Sequence, residues 1–199
     1  MKQVVIGTSN EAKYQDFALY LGDEYEAVKP DNRVEIPEGM HSLEENAIAK
    51  ARTWCILTGL PALADDTGFF IEALHGEPGV AARRWGGELS EDATNEDFWK
   101  LLQTKVAKLK DTSAYVEQCV AIAMPSGDVK VVYNRTKGYV DKEKLAQPYN
   151  GTGYPLAAAF VTMERPKAWD DMTDTEKLTF NKKFVDDIKV ALEELRMKP

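Results

Sequence analysis

Val4-Val5-Ile6-Gly7-Thr8-Ser9-Asn10-Glu11-Ala12-Lys13-Tyr14 changes its hydrophobic period midway. The β-branched run Val4 to Ile6 has strand character and stops at Gly7. The polar turn Thr8-Ser9-Asn10 then leads into a helical pattern that puts Tyr14, Phe17 and Leu21 on one face. A strand, a tight turn and a helix in that order begin an α/β arrangement. They also leave a helix N-terminus, with its unpaired N–H groups, beside small hydroxyl side chains.

Outward from this unit, Ser42-Leu43-Glu44-Glu45 has capping-box spacing, and the alanine-rich stretch to about Leu57 is predicted helical until Gly59 and Pro61. Leu60 to Ala64 is a short apolar strand. Asp65-Asp66-Thr67-Gly68 interrupts it, and strand character resumes from Phe69 to Leu74. Phe98, Leu101, Leu102, Val106 and Leu109 form a helical stripe. Ala114 to Met124 and Val129 to Val140 read as antiparallel strands joined by Pro125-Ser126-Gly127-Asp128. Asp141 to Met172 looks irregular, with Pro148, Pro155 and Pro166 in it. Thr173-Asp174-Thr175-Glu176 is a second capping box, opening a C-terminal helix with Leu178, Phe184, Ile188, Leu192 and Leu195. The alternation implies an α/β or α+β body around one twisted sheet.

The 199 residues suit a single domain, or one body with two lobes, and 44% hydrophobic against 29% charged residues excludes a disordered class. A net charge of -8 without a Lys/Arg run argues against a nucleic-acid polymer as partner. A small anion remains possible where lysines, a helix N-terminus or a divalent cation compensate locally. Cys55 and Cys119 both fall in apolar runs and read as core residues, not as a disulfide or a metal site. No signal peptide and no run of about 20 apolar residues is evident, so the expectation is a cytoplasmic protein with no membrane contact.

Three groups carry potential chemistry. Gly7-Thr8-Ser9-Asn10 with Lys13 would present N–H groups and a point charge to phosphate oxygens, although a plain Ser/Asn cap with a solvated lysine has the same sequence. The spacing of a Walker A loop is absent. Asp65-Asp66-Thr67-Gly68 places two repelling carboxylates where a hard divalent cation would remove the repulsion; an exposed Asp/Gly turn is the bland alternative. Glu38 stands in Ile36-Pro37-Glu38-Gly39, and Asn46 and Lys50 share one helical face. His41 and His75 have no partner at ligand spacing and no nucleophile signature beside them, so neither is given a catalytic role.

Taken in order, the chain resembles the inosine triphosphate pyrophosphatase family, enzymes that hydrolyse noncanonical purine nucleoside triphosphates. The matching stretches begin with Thr8-Ser9-Asn10 and Lys13, Ile36-Pro37-Glu38, and Glu45-Asn46-Ala47 with Lys50-Ala51. They continue with Leu63-Ala64-Asp65-Asp66-Thr67-Gly68, Pro78-Gly79-Val80 and Arg84-Trp85, then Ser113-Ala114-Tyr115, Arg135-Thr136 and Gly151-Thr152-Gly153-Tyr154. The resemblance implies an elongated α/β fold with a mixed central sheet flanked by helices, two lobes with a nucleotide cleft between them, a homodimer and a Mg²⁺ requirement. It also implies the site. Asp66 and Lys13 would be catalytic, and Glu38, Asp66 and Asp65 would serve the metal. Thr8, Ser9, Asn10, Lys13, Lys50 and Thr67 would hold the phosphates, and Gly153, Tyr154, Lys177, Lys182 and Lys183 would meet base or ribose.

The chain departs from the family pattern near its C-terminus. Gly153-Tyr154-Pro155 lacks the aspartate of the usual Gly-Tyr-Asp-Pro, and Asn181-Lys182-Lys183 replaces Ser-His-Arg. A lysine does not reproduce the hydrogen-bonding fork of an arginine, so the preferred base stays open. The alternatives are the same reaction on another base, or a nucleotide-binding module without turnover.

Overall fold

The computed structural model describes residues 2–30, 36, 42–150 and 154–197. Its elements are β1 (Lys2–Ile6), α1 (Glu11–Leu21), β2 (Tyr25–Val28), α2 (Leu43–Thr58), β3 (Ala62–Ile71), β4 (Pro78–Gly79), α3 (Asn95–Val106), β5 (Ser113–Ala123) and β6 (Val129–Val140). Then come α4 (Lys142–Leu145), α5 (Pro155–Ala159), β7 (Phe160–Thr162), α6 (Asp174–Phe180) and α7 (Lys182–Arg196). The strands form a mixed sheet in the order β2-β1-β3-β5-β6-β7, with β4 paired to β3. Flanking helices complete an α/β fold. Among the described residues no helix is long and apolar enough to cross a membrane.

The chain divides into two compact units. The first comprises residues 1–66, 118–134 and 178–199, and the second 67–117 and 135–177.

In the first unit, β1 pairs in parallel with β2 and with β3. Parallel neighbours need crossovers, which α1 and α2 supply. The faces of β1 and β3 sort by alternation. Val4, Ile6 and Leu63 pack with Phe17, Leu21, Phe184, Ile188 and Leu192 of α1 and α7. Val5, Ala62 and Ala64 pack with Ala47, Ala51, Trp54 and Cys55 of α2. The small residues on both sides let α2 lie close to the sheet. At Gly7 that approach excludes a side chain, because a Cβ there would come within 2.5 Å of the Trp54 ring. Asn10 caps α1 by accepting from Ala12 N and Lys13 N, and Ser42 caps α2 by accepting from Glu45 N. Gly59 ends α2 at φ 69°, a left-handed conformation that glycine takes without strain.

The second unit has its own core, in which Phe69 and Ile71 of β3 pack with Phe98, Trp99 and Leu102 of α3 and with Leu156 and Phe160. Thr94 and Asp97 form the reciprocal capping box of α3.

Three expectations are corrected. The two predicted strands around Asp65-Asp66 are one continuous strand, β3, in which both aspartates are buried and not in an exposed turn. Residues 141–172 are not irregular throughout, since α4, α5 and β7 lie there; Pro155 occupies the start of α5, where no N–H is required. The C-terminal helix is two helices. Thr173 and Glu176 do form their capping box, but the chain leaves helical geometry at Asn181 (φ -95°, ψ 15°). The side chain of Asn181 is drawn inward, donating to Tyr20 Oη at 2.8 Å and accepting from Asn134 at 3.4 Å.

Candidate active site

The parallel ladder of β1 on β3 runs Val5↔Ala62 and Ile6↔Leu63, and Gly7 N still donates to Leu63 O at 2.6 Å. Beyond that point β1 turns away through Thr8, Ser9 and Asn10, while β3 continues with Ala64, Asp65 and Asp66. The carboxylates therefore emerge where a strand next to them has just ended, at the carboxyl end of parallel strands, the usual location of ligand sites in such sheets. Thr8 Oγ1 accepts from Asn10 N at 3.1 Å and Asn10 Oδ1 from Ala12 N at 2.9 Å, so both side chains shape the turn; Ser9 is exposed.

Consecutive strand residues point to opposite faces, and the partners of Asp65 and Asp66 follow that rule. Asp65, on the Leu63 face, accepts on Oδ2 from Lys13 Nζ of α1 at 2.8 Å and from Gln118 Nε2 of β5 at 3.2 Å. Asp66, on the Ala64 face, accepts on Oδ1 from Lys50 Nζ at 3.1 Å and on Oδ2 from Asn46 Nδ2 at 2.9 Å. Asn46 and Lys50 are one helical turn apart on α2, as their spacing predicts. Asp65 is 3% exposed and Asp66 7%, and burying two bare charges so deeply would be prohibitive without such donors. Burial pushes the Asp65 carboxyl up, but the Lys13 and Lys50 charges and the hydrogen bonds from Lys13 and Gln118 outweigh it. Asp65 thus stays below the ordinary carboxylate range.

Lys13 with Asp65 and Lys50 with Asp66 thus lie on the two faces of the same short stretch of β3, within the first unit, just past the point where β1 gives way to the Thr8–Asn10 turn. Thr67 is the next residue of β3. Glu38 and Gly153 lie outside the described residues. Tyr154 precedes α5, and Lys177 of α6 stands 5.1 Å from the centroid of the Trp169 ring. Lys182 and Lys183 lie in the first turn of α7, exposed and paired with Asp186 at 2.6 Å and Asp187 at 2.5 Å, the arrangement of a solvated helix face. The sequence pattern does not mark Gln118. Its only local signal is a carboxamide at the head of the apolar run Cys119 to Ala123, and its partner is 53 positions away.

The groups of the site that could ligate a metal, the Asp65 and Asp66 carboxylates, offer oxygen, which suits a hard divalent cation. Among the described residues no group of three or more His, Cys, Asp or Glu could hold a metal by itself. Mg²⁺ ordinarily needs only one or two carboxylates when phosphates and water complete its shell, so the residues present fit it.

The profile of the Ham1 family matches residues 4–185. The dITP/XTP pyrophosphatase of Symbiobacterium thermophilum is 36% identical over 157 residues, which are 76% of this chain and 74% of that protein. The dITP/XTP pyrophosphatase of Bacillus licheniformis is 32% identical over 182 residues, 89% and 90% of the two chains. A HAM1 protein from Coxiella burnetii superimposes with a TM-score of 0.74 at 26% identity, over 98% of this chain and 100% of that one. With the profile matched over nearly the whole length and relatives over 30% identical across most of both chains, this chain belongs to the Ham1 family.

Proposed function

We propose that this chain hydrolyses noncanonical purine nucleoside triphosphates of the dITP/XTP kind to a nucleoside monophosphate and pyrophosphate, with Mg²⁺ as cofactor. The naming of its relatives as dITP/XTP pyrophosphatases supports the reaction class. The observation that carries the mechanism is the buried pair Asp65-Asp66, with Lys13 bonded to the first aspartate and Lys50 to the second.

The oxygen of a water forms a bond to the α-phosphorus, and the bond from that phosphorus to the oxygen bridging the β-phosphate breaks. Asp66 orients this water and accepts its proton, a task for a carboxylate already fixed by Asn46 and Lys50. Lys13 and Lys50 offset the charge of the phosphates in a chain that is otherwise acidic. Thr8, Ser9 and Asn10, with the N–H groups of the turn, receive phosphate oxygens, and Thr67 contacts the substrate. Asp65, committed to Lys13 and Gln118 on the other face of β3, supports the site by holding Lys13. Asp66 and Glu38 would hold Mg²⁺, which supplies further charge neutralisation at the phosphates.

Gly153, Tyr154, Lys177, Lys182 and Lys183 are proposed for base and ribose. A different preferred base is the second reading, favoured by the missing aspartate at Tyr154-Pro155 and by the surface pairing of Lys182 and Lys183. A homodimer in the cytoplasm completes the proposal; the two buried free thiols suit a reducing compartment.

The test is pyrophosphate release from a panel of triphosphates (ITP, dITP, XTP, the canonical four), with and without EDTA. Turnover of ITP or XTP well above ATP and its loss in EDTA are expected; tight ITP binding without any pyrophosphate would leave a binding module instead.

A further inference from the structure

Among the described residues an ammonium and a carboxamide both donate to each buried carboxylate of the site: Lys13 and Gln118 to Asp65, Lys50 and Asn46 to Asp66. The two kinds of donor respond differently to an arriving polyanion. An ammonium is attracted to phosphate oxygens and divides its hydrogen bonds between them and the aspartate. A carboxamide has no net charge to be drawn away, so its bond to the aspartate persists while the lysine is shared. Asn46 is 6% exposed and Gln118 sits at the edge of a buried apolar run, places where a carboxamide contributes little to packing and needs a polar partner.

We infer that Asn46 and Gln118 are positioning residues that keep Asp66 and Asp65 aimed while Lys50 and Lys13 engage the triphosphate. The inference rests on the hydrolytic reading above. Its two arms give different signatures, because the aspartates have different tasks. Asn46 acts through Asp66 on the attacking water, so its loss reduces kcat. Gln118 acts through Asp65 on Lys13, a phosphate contact, so its loss raises KM.

The experiment measures pyrophosphate release from ITP by wild type, Lys13→Met, Asn46→Ala, Gln118→Met and Lys13→Met/Gln118→Met, with ITP binding followed separately by calorimetry in EDTA. Where Asn46→Ala or Gln118→Met does not fold, Asn46→Ser or Gln118→Leu replaces it. A charge-assisted hydrogen bond predicts a loss of about tenfold in kcat with KM within about twofold for Asn46→Ala. For Gln118→Met it predicts a KM and an ITP dissociation constant raised about tenfold, with kcat within about twofold. Gln118→Met adds nothing further in the Lys13→Met background. Equal losses of Gln118→Met in both backgrounds, or both variants changing kcat and KM alike, would overturn the inference, since a general structural defect behaves that way. Wild-type kinetics in both variants, with Lys13→Met impaired, overturns it while the hydrolytic reading stands. A wild type that releases no pyrophosphate overturns both.

Discussion

Asp66→Asn removes a charge and a proton acceptor while keeping the shape of the side chain. In the structure the two oxygens of Asp66 accept from two different donors, Lys50 at 3.1 Å and Asn46 at 2.9 Å. An asparagine offers one acceptor oxygen, so its NH₂ must face one of these donors. Asn46 can turn its own oxygen toward that NH₂, but Lys50, its side chain 13% exposed, is left against a neutral carbonyl. The weakened hydrogen bonding costs about 1–3 kcal/mol of stability, a fall of roughly 2–12 °C in Tm for a chain of this size. The chemical cost is larger: loss of the water-activating carboxylate lowers kcat by about 10²- to 10⁴-fold. Pyrophosphate release from ITP at saturating Mg²⁺, followed alongside thermal unfolding, separates the two effects. A folded Asp66→Asn protein that keeps kcat within about threefold of wild type would refute the assignment of Asp66 to the attacking water.

Other outcomes follow from the same geometry. Lys13→Met removes the ammonium bonded to Asp65, whose side chain is 2% exposed, while Gln118 and the Lys50 charge still act on that carboxylate, so it destabilises by about 1–3 kcal/mol; the urea midpoint measures the loss. Glu176, held down to about 2 by its bonds from Lys167 and from Thr173, is a depressed carboxylate. Its stabilisation is present in full above the unfolded value of 4.5 and is lost as pH falls toward about 2. The difference in urea midpoint between wild type and Glu176→Gln is therefore expected to shrink steadily below pH 4.5, and a constant difference would count against it. Cys119 is fully buried with its thiol pushed up to about 12 by that burial, and the Cys55 thiol is raised too. Neither is expected to react with iodoacetamide at neutral pH in minutes, and both should react after unfolding in urea.

What the sequence determined by itself was mostly local. The change of period from Val4 to Tyr14, the caps at Asn10 and Ser42, the glycine that stops α2 and the box at Thr173–Glu176 each depend on contacts within a few residues. Such contacts are present in any fold that uses those segments. Lys50 and Asn46 were legible as a pair for the same reason, since helical spacing alone puts them on one face. The order of motifs along the chain also carries the resemblance to inosine triphosphate pyrophosphatases, because that order needs no tertiary contact to be read.

Only the tertiary structure decided how the aspartates are placed and paired. Asp65-Asp66-Thr67-Gly68 has the composition of a turn, and local preference alone would break the strand there. Donors from α1, α2 and β5 make it possible to bury the charges and run β3 straight through. Because strand residues alternate, the same packing turns the two neighbours to opposite faces of β3, where Lys13 bonds to Asp65 and Lys50 to Asp66. The break at Asn181 has a similar origin: its helical continuation loses to buried hydrogen bonds with Tyr20 and Asn134, partners 161 and 47 positions away. Hydrogen bonds and ion pairs act over a few ångströms of space regardless of separation along the chain, and for that reason the second donor on each carboxylate became identifiable only once the strands and helices were in place.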